Sequence, residues 1–158
     1  GRLDQVSRGV YTLPEVWEDE FVSIQERYKR GVFALDTALF LHDLTDRTPH
    51  KFHMAFPYGY NTSSPKAAGI LCSCKKEPYY SLGIALVDTP AGNTVRAYNA
   101  EKTLCEILKP ISHTDIQIIT DAFKRYAGRK DKNIPLLSEY AHQLRVEKRL
   151  RPYLEVLL

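Results

Sequence analysis

An apolar strand–helix–strand unit, Gly31–Pro57, constrains the fold of this chain more than any other stretch. Val32–Phe33 predicts a short strand, and the apolar residues that follow recur at helical spacing. The helix must end before Pro49, which cannot continue it. Over Lys51–Phe56, apolar and polar residues alternate, which predicts a strand with one buried face. We therefore expect a core nucleus that packs against the segments on both flanks.

Size and composition indicate one compact domain, or one domain with a small appendage. The sequence has 158 residues, of which 44% are hydrophobic, and this is enough to bury a core without disulfides. An odd number of cysteines and the absence of a secretory leader favour the reducing cytoplasm. Every apolar run is well short of the roughly 20 residues that a membrane span needs. We expect a cytoplasmic protein with no membrane partner.

The segments around the central unit predict further sheet structure. Before it, we expect a hairpin over residues 1–14, an acidic linker over 15–20 and a short helix over Phe21–Lys29. After it, Tyr58–Pro65 has the composition of a loop. Three strands then follow, at Ala67–Lys75, Ile84–Asp88 and Thr94–Tyr98.

The chain turns helical at Asn99, a good N-cap residue. Leu104, Ile107 and Leu108 are expected to form the buried stripe of the first helix. Three more helices are predicted. The first runs from Ser112 or Thr114 to Gly128, with Ile116 buried and Gly128 as a C′ residue. The other two are Ile134–Leu144 and Val146–Leu157, and Pro152 should kink or restart the last one.

These elements predict an α+β fold. It combines a small mixed or antiparallel sheet and flanking helices (residues 21–98) with a helical C-terminal subdomain (residues 99–158). Together these two parts form the domain expected over residues 21–158.

The sequence carries no strong metal or nucleotide motif. Structural zinc sites usually place two to four residues between paired cysteines, whereas one residue separates Cys72 from Cys74. Both share a strand face with Ile70, so we interpret them as small core residues. His50 and His53 would point to opposite faces of a strand. No Walker loop, G-x-S-x-G or G-x-G-x-x-G occurs, and we expect no metal and no cofactor.

One pattern suggests a metal-dependent nuclease. Asp88, followed by Glu101 and Lys102, resembles the scattered carboxylates and lysine that hold Mg²⁺ and orient water. The spacing is loose, and Glu101 is already explained as a residue of a first helical turn, where negative charge is favoured. A nuclease stays an alternative.

The C-terminal helices are basic. Residues 121–158 contain nine lysines and arginines and five acidic residues, a surplus of four against +3 for the whole chain. The surplus is either a solvated helix face or an electropositive surface for RNA, DNA or an acidic protein. The residues around Gly128, Arg129 and Lys130 are the strongest candidates for such a surface.

Three short segments occur in an order and spacing that are hard to obtain by chance. They are Ser7–Pro14 (SRGVYTLP), Thr37–Pro49 (TAL, then LTDRTP) and Tyr98–Leu104 (YNAEKTL). With these segments the chain resembles the AbiEi antitoxins of type IV toxin–antitoxin, or abortive infection, systems. The resemblance covers nearly the whole sequence. The chain departs from the family at Lys102, because relatives often have arginine there, and no catalytic role is inferred for that motif.

The resemblance implies a function that is not enzymatic. Such antitoxins join an N-terminal winged helix-turn-helix, which binds operator DNA and represses the operon, to a C-terminal domain that neutralises a nucleotidyltransferase-like toxin. This chain begins inside the wing, so the major-groove helices are expected to be absent. Arg2 and Arg8 of the wing remnant would contact DNA phosphate. The expected antitoxic surface comprises Lys124, Arg125, Arg129, Lys130, Arg145, Lys148 and Arg149.

Two further alternatives remain open at this point. The chain could be a transcriptional regulator whose C-terminal domain only dimerises or senses a ligand. It could also be an RNA-binding module that uses the basic helices, in which case affinity would depend on salt. Neutralisation of the toxin could itself act by direct contact or through a shared target.

Overall fold

The central feature of the fold is a five-strand mixed sheet. A computed structural model describes residues 19–157, so the expected hairpin, with Arg2 and Arg8, and most of the expected linker lie outside the described residues. The strands are β1 (Val32–Phe33), β2 (His53–Pro57), β3 (Leu71–Lys75), β4 (Ile84–Asp88) and β5 (Thr94–Tyr98). Their spatial order is β3-β2-β1-β5-β4.

Both parallel and antiparallel pairings occur in the sheet. β1 pairs antiparallel with β2 and parallel with β5, while β2 pairs parallel with β3. β4 and β5 form an antiparallel hairpin in which Ile84 lies opposite Tyr98 and Asp88 lies opposite Thr94. The prediction of an α+β fold with a small mixed sheet is confirmed.

Seven α-helices lie within the described residues. They are α1 (Glu20–Arg27), α2 (Leu35–Leu41), α3 (Ser63–Ala67), α4 (Ala100–Ile107), α5 (Ile116–Ala127), α6 (Ile134–Leu144) and α7 (Glu147–Leu157), with a 3₁₀ turn at Pro110–Ser112. The predicted limits of β4, β5 and α6 are confirmed. α7 continues through Pro152 without a restart. Pro152 is exposed, so water can satisfy the carbonyl that its missing N–H leaves unpaired.

The segment after β2 differs from the prediction. The expected loop over Tyr58–Pro65 ends in helix α3, because proline is tolerated in the first turn of a helix and Pro65 occupies such a position. Gly69 follows α3 with a φ of +87°, a conformation that glycine adopts without steric cost. The strand expected from Ala67 therefore begins only at Leu71.

The start and end of α5 also differ from expectation. Ile116 was predicted to be buried, yet it is 63% exposed, because it is the first residue of the helix and projects at its free end. Gly128 caps the other end with a φ of −83°, so the helix does not use the left-handed conformation that favours glycine.

β2 is covered on both faces, so the prediction of a half-buried strand was wrong. Met54 and Phe56 pack in an aromatic cluster with Phe21 of α1. Ala55, on the opposite face, packs against Tyr98. The alternating sequence pattern of β2 cannot predict that its second face is also buried, because the residues that cover this face come from distant segments of the chain.

Helix α4 is the most enclosed helix of the described residues. All eight of its residues are buried, including Glu101, Lys102 and Glu106. The expected stripe of Leu104, Ile107 and Leu108 is buried too, but it forms only part of the buried circumference. α4 packs in the largest core cluster, which also contains residues of α2, α5, α6 and α7. Buried charges on such a helix need partners.

Candidate functional site

The ammonium group of Lys102 lies wholly inside the protein. Its Nζ donates hydrogen bonds to the carbonyl oxygens of Tyr79, at 2.8 Å, and Leu82, at 2.9 Å. The same atom lies 3.7 Å from the ring centroid of Tyr98, a cation–π contact. Burial lowers the pKa of Lys102 to about 8, while the nearby Glu106 carboxylate acts in the opposite direction. Lys102 therefore fastens the loop before β4 to helix α4.

Glu106 lies between two lysines. Its Oε1 accepts a hydrogen bond from Lys75 Nζ at 2.9 Å, and its Oε2 lies 3.6 Å from Lys102 Nζ. Oε2 is buried and has no hydrogen-bond partner, so it depends on the charge of Lys102 for compensation. This ion triad joins strand β3 to helix α4.

Glu101 has a structural partner as well. Tyr126 of α5 donates its hydroxyl hydrogen to Glu101 Oε2 at 2.7 Å and accepts a hydrogen bond from the backbone N–H of Asn133. Burial and this bond to the carboxylate raise the pKa of Tyr126. Glu101 thereby connects α4 to α5 and to the start of α6.

The structure separates the two carboxylates of the nuclease alternative. Asp88 is exposed at the end of β4, opposite Thr94, whereas Glu101 follows the other end of the hairpin, where Ile84 pairs with Tyr98. Four residues of strand correspond to about 13 Å. Asp88 and Glu101 therefore do not converge on one position, and no group of three or more His, Cys, Asp or Glu in residues 19–157 is arranged to hold a metal.

The two half-buried histidines have hydrogen-bond partners. His42, at the end of α2, places Nε2 at 2.7 Å from the carbonyl oxygen of Tyr98. His53 Nε2 lies 2.7 Å from the hydroxyl of Ser73. Burial lowers the pKa of His53 to about 4, and the charge of Lys75 adds to this effect. Both contacts tie neighbouring elements together.

The cysteines occupy three different environments. Cys105 is buried in α4, and burial raises the pKa of its thiol to about 12. Cys72 is half-buried, and Cys74 is exposed. The prediction that Cys72 and Cys74 are both core residues was therefore wrong for Cys74, which is exposed on the edge strand β3.

Most described residues that carry the AbiEi resemblance lie in the core. The buried members are Thr37, Ala38, Leu39, Leu44, Thr45, Tyr98 and Ala100–Leu104. Thr37 Oγ1 accepts a hydrogen bond from the backbone N–H of His53, which links α2 to β2. Asp46–Thr48 are the exposed exception, in the turn before β2. Burial of most of these residues indicates that the motifs mainly specify packing.

Two members of the predicted basic surface are paired with carboxylates. Arg125 Nε lies 2.9 Å from Asp121, and its Nη2 lies 3.8 Å from Asp46. Arg129 binds Asp131 through two parallel bonds of 2.9 Å and also donates to the carbonyl oxygen of His42 at 3.0 Å. The guanidinium of Arg129 lowers the pKa of Asp131. Both arginines therefore have local structural roles.

The other five predicted cations are exposed, and none forms an ion pair within residues 19–157. They are Lys124, Lys130, Arg145, Lys148 and Arg149. Three of them line one open concavity of about 760 Å³, together with His142 and Glu147. We call the residues His142, Arg145, Glu147, Lys148 and Arg149 the α6–α7 corner. Lys124 lines a separate groove on α5, and Lys130 lies in the loop before α6.

Sequence reasoning missed the buried charges of Lys102 and Glu106 and their half-buried partner Lys75. Helical spacing in α4 identifies an apolar stripe, but it cannot show that distant segments also cover the polar side. No local signal revealed this burial, since Lys102 and Glu106 are four residues apart and share one helix face. In sequence such a pair is typical of the solvent-exposed face of an amphipathic helix.

Comparison with known proteins does not place the chain in a family. No family model matches it, and no curated protein matches it. None of the helices in residues 19–157 has the length and apolar character needed to cross a membrane.

Proposed function

We propose that this chain is the toxin-neutralising domain of an AbiEi-type antitoxin and works in the cytoplasm through an exposed surface, without catalysis. The full-length protein would also repress its own operon through an N-terminal DNA-binding domain. The functional partner is a nucleotidyltransferase-like toxin. One observation carries the proposal: the motif residues that resemble the family mostly build the core, while unpaired cations collect on the outside.

The placement of charge supports a surface function. Glu101, Lys102 and Glu106 each form a hydrogen bond or ion pair that holds α4 to its neighbours. Arg145, Lys148 and Arg149 have no partner of this kind among residues 19–157 and are free to meet a partner or a shared target. The α6–α7 corner is therefore the proposed antitoxic surface.

Co-expression with the cognate toxin tests the function. Cells that produce the toxin alone should stop growing, and the chain supplied in trans should restore growth. A chain carrying Asp88→Ala should rescue equally well, since Asp88 has no role in the proposal. Failure of the folded wild-type chain to rescue would contradict the proposal and favour a regulator whose C-terminal domain only dimerises or senses a ligand.

A further inference from the structure

The α6–α7 corner places three cations together with little compensation. Arg145 caps the end of α6 in a left-handed conformation with a φ of 62°, and Lys148 and Arg149 follow in the first turn of α7. The carboxylate of Glu147 lies 3.2 Å from Nδ1 of His142 and lines the same concavity, so three cations face one carboxylate there. All three cationic side chains belong to exposed residues at the rim of one concavity.

The positive charge at the corner is only partly compensated within residues 19–157: Glu147 is acidic and Arg145 lies at the favourable C-terminal end of α6, but Lys148 and Arg149 do not share that benefit. The first turn of a helix favours negative charge, because the helix dipole is positive at that end. Lys148 and Arg149 place positive charge there, beside a third cation. By contrast, Arg125 and Arg129 each have a carboxylate within 2.9 Å. An anionic ligand from outside would remove the unfavourable charge at the corner.

The chemistry of the corner points to phosphate. Two of its three cations are arginines, whose planar guanidinium groups match the geometry of phosphate oxygens through paired hydrogen bonds. A nucleic-acid strand carries one phosphate per nucleotide, so it offers a separate anionic group to each of several spaced cations.

A folded acidic protein fits the corner less well. Protein interfaces are usually centred on aromatic or apolar anchors, with charges at the rim. The concavity is lined by charged residues and one histidine. The exposed large apolar residues of the described chain lie on other elements: Tyr58, Leu71, Leu86, Ile111 and Ile116.

We infer that the α6–α7 corner binds the phosphodiester backbone of a nucleic acid through Arg145, Lys148 and Arg149. This deepens the proposed function, on which it rests, by assigning the antitoxic surface a nucleic-acid target. Such contacts position a strand without reading its sequence. No Phe, Tyr or Trp lines the concavity, so the proposed contacts are with the phosphate backbone and do not depend on stacking of bases on these rings.

Fluorescence anisotropy with the purified chain tests the inference. The probes are a short labelled single-stranded RNA and a DNA duplex of equal length. If three phosphates are neutralised, affinity should fall about 20-fold for the single strand and about 40-fold for the duplex between about 50 and 200 mM salt. The probe that binds with the higher affinity at the same salt concentration identifies the preferred form of nucleic acid.

A matched pair of variants localises the site. The corner variant R145Q/K148Q/R149Q and the control variant K29Q/K51Q/K66Q remove the same charge from exposed residues. The corner variant should lose at least 10-fold in affinity and most of the salt dependence, while the control stays within about twofold of wild type. Thermal unfolding of each variant confirms that the fold is retained.

Two results would overturn the inference. Equal losses of affinity in both variants would show that binding depends on net charge and not on the corner. Absence of salt-dependent binding by the wild-type chain would show that the corner has another partner. The wild-type chain could rescue cells from the toxin without binding either nucleic acid. If the corner variant then fails to rescue, the corner contacts an acidic protein and the proposed function stands. If binding occurs at the corner but the wild-type chain never rescues, the proposed function fails alone.

Discussion

Lys102 shows how a single residue can hold several elements in place. Its ammonium group meets two carbonyl oxygens, the ring of Tyr98 and the carboxylate of Glu106. Removing one partner of a buried ion pair is costly, because the remaining charge keeps its desolvation penalty without compensation. The stability of the protein should therefore depend strongly on this side chain.

Lys102→Met should lower the free energy of unfolding by about 3–5 kcal/mol. The substitution preserves volume but leaves Glu106 Oε2 and two carbonyl oxygens without the ammonium group. Urea denaturation measures the change. The double variant K102M/E106Q should be more stable than K102M alone, since it also removes the uncompensated charge. A loss below about 1 kcal/mol in K102M would contradict this role.

His53 gives a prediction about acid stability. Its pKa is lowered by burial from 6.5 to about 4, so between these values the unfolded chain binds a proton that the folded chain does not. Stability is therefore full above pH 6.5 and is lost as the pH falls toward 4, by up to about 3 kcal/mol.

His53→Gln, which cannot take up this proton, isolates the effect. Urea denaturation at several pH values should show a shallower loss of stability for the variant than for wild type over this window. Burial also lowers the pKa of His42, so the variant keeps part of the acid dependence. Identical pH profiles for both proteins would show that His53 does not drive the loss.

At the scale of elements, the predictions succeeded where the signals were local. The β4–β5 hairpin follows from two alternating stretches around a short loop, and α6 follows from its periodicity between Asn133 and Arg145. α3 was missed because Pro65 was interpreted as the end of a loop. The complete burial of α4 was missed because its covering layers come from segments far away in the sequence.

The two N-caps of α4 and α5 should differ in their contribution to stability. Asn99 accepts a hydrogen bond from the backbone N–H of Lys102 and also donates to the Tyr140 hydroxyl at 3.2 Å, whereas the exposed Asp115 only caps Gln117. Asn99→Ala should cost about 2 kcal/mol and Asp115→Ala about 0.5–1 kcal/mol. Chemical denaturation of both variants makes the comparison. Equal losses would indicate that the bond to Tyr140 contributes nothing.

For the molecule as a whole, the sequence predicted the α+β fold with its small sheet and the basic character of the C-terminal helices. It could not separate cations that stabilise the fold from cations that face outward. The sequence does place Asp121 four residues before Arg125 and Asp131 two residues after Arg129. Only the folded chain shows that these pairs form, and it also brings Asp46 to Arg125 and the carbonyl oxygen of His42 to Arg129. The candidate site thus shrinks from seven residues to the three cations of the α6–α7 corner.

The central claim is that the protein acts through this exposed surface, and charge reversal with toxin co-expression tests it most directly. The variant R145E/K148E/R149E should fold normally by thermal unfolding and fail to restore growth. The control variant K29E/K51E/K66E, which carries the same change in net charge on other exposed residues, should rescue as wild type does. Full rescue by a folded, equally abundant R145E/K148E/R149E protein would contradict the account.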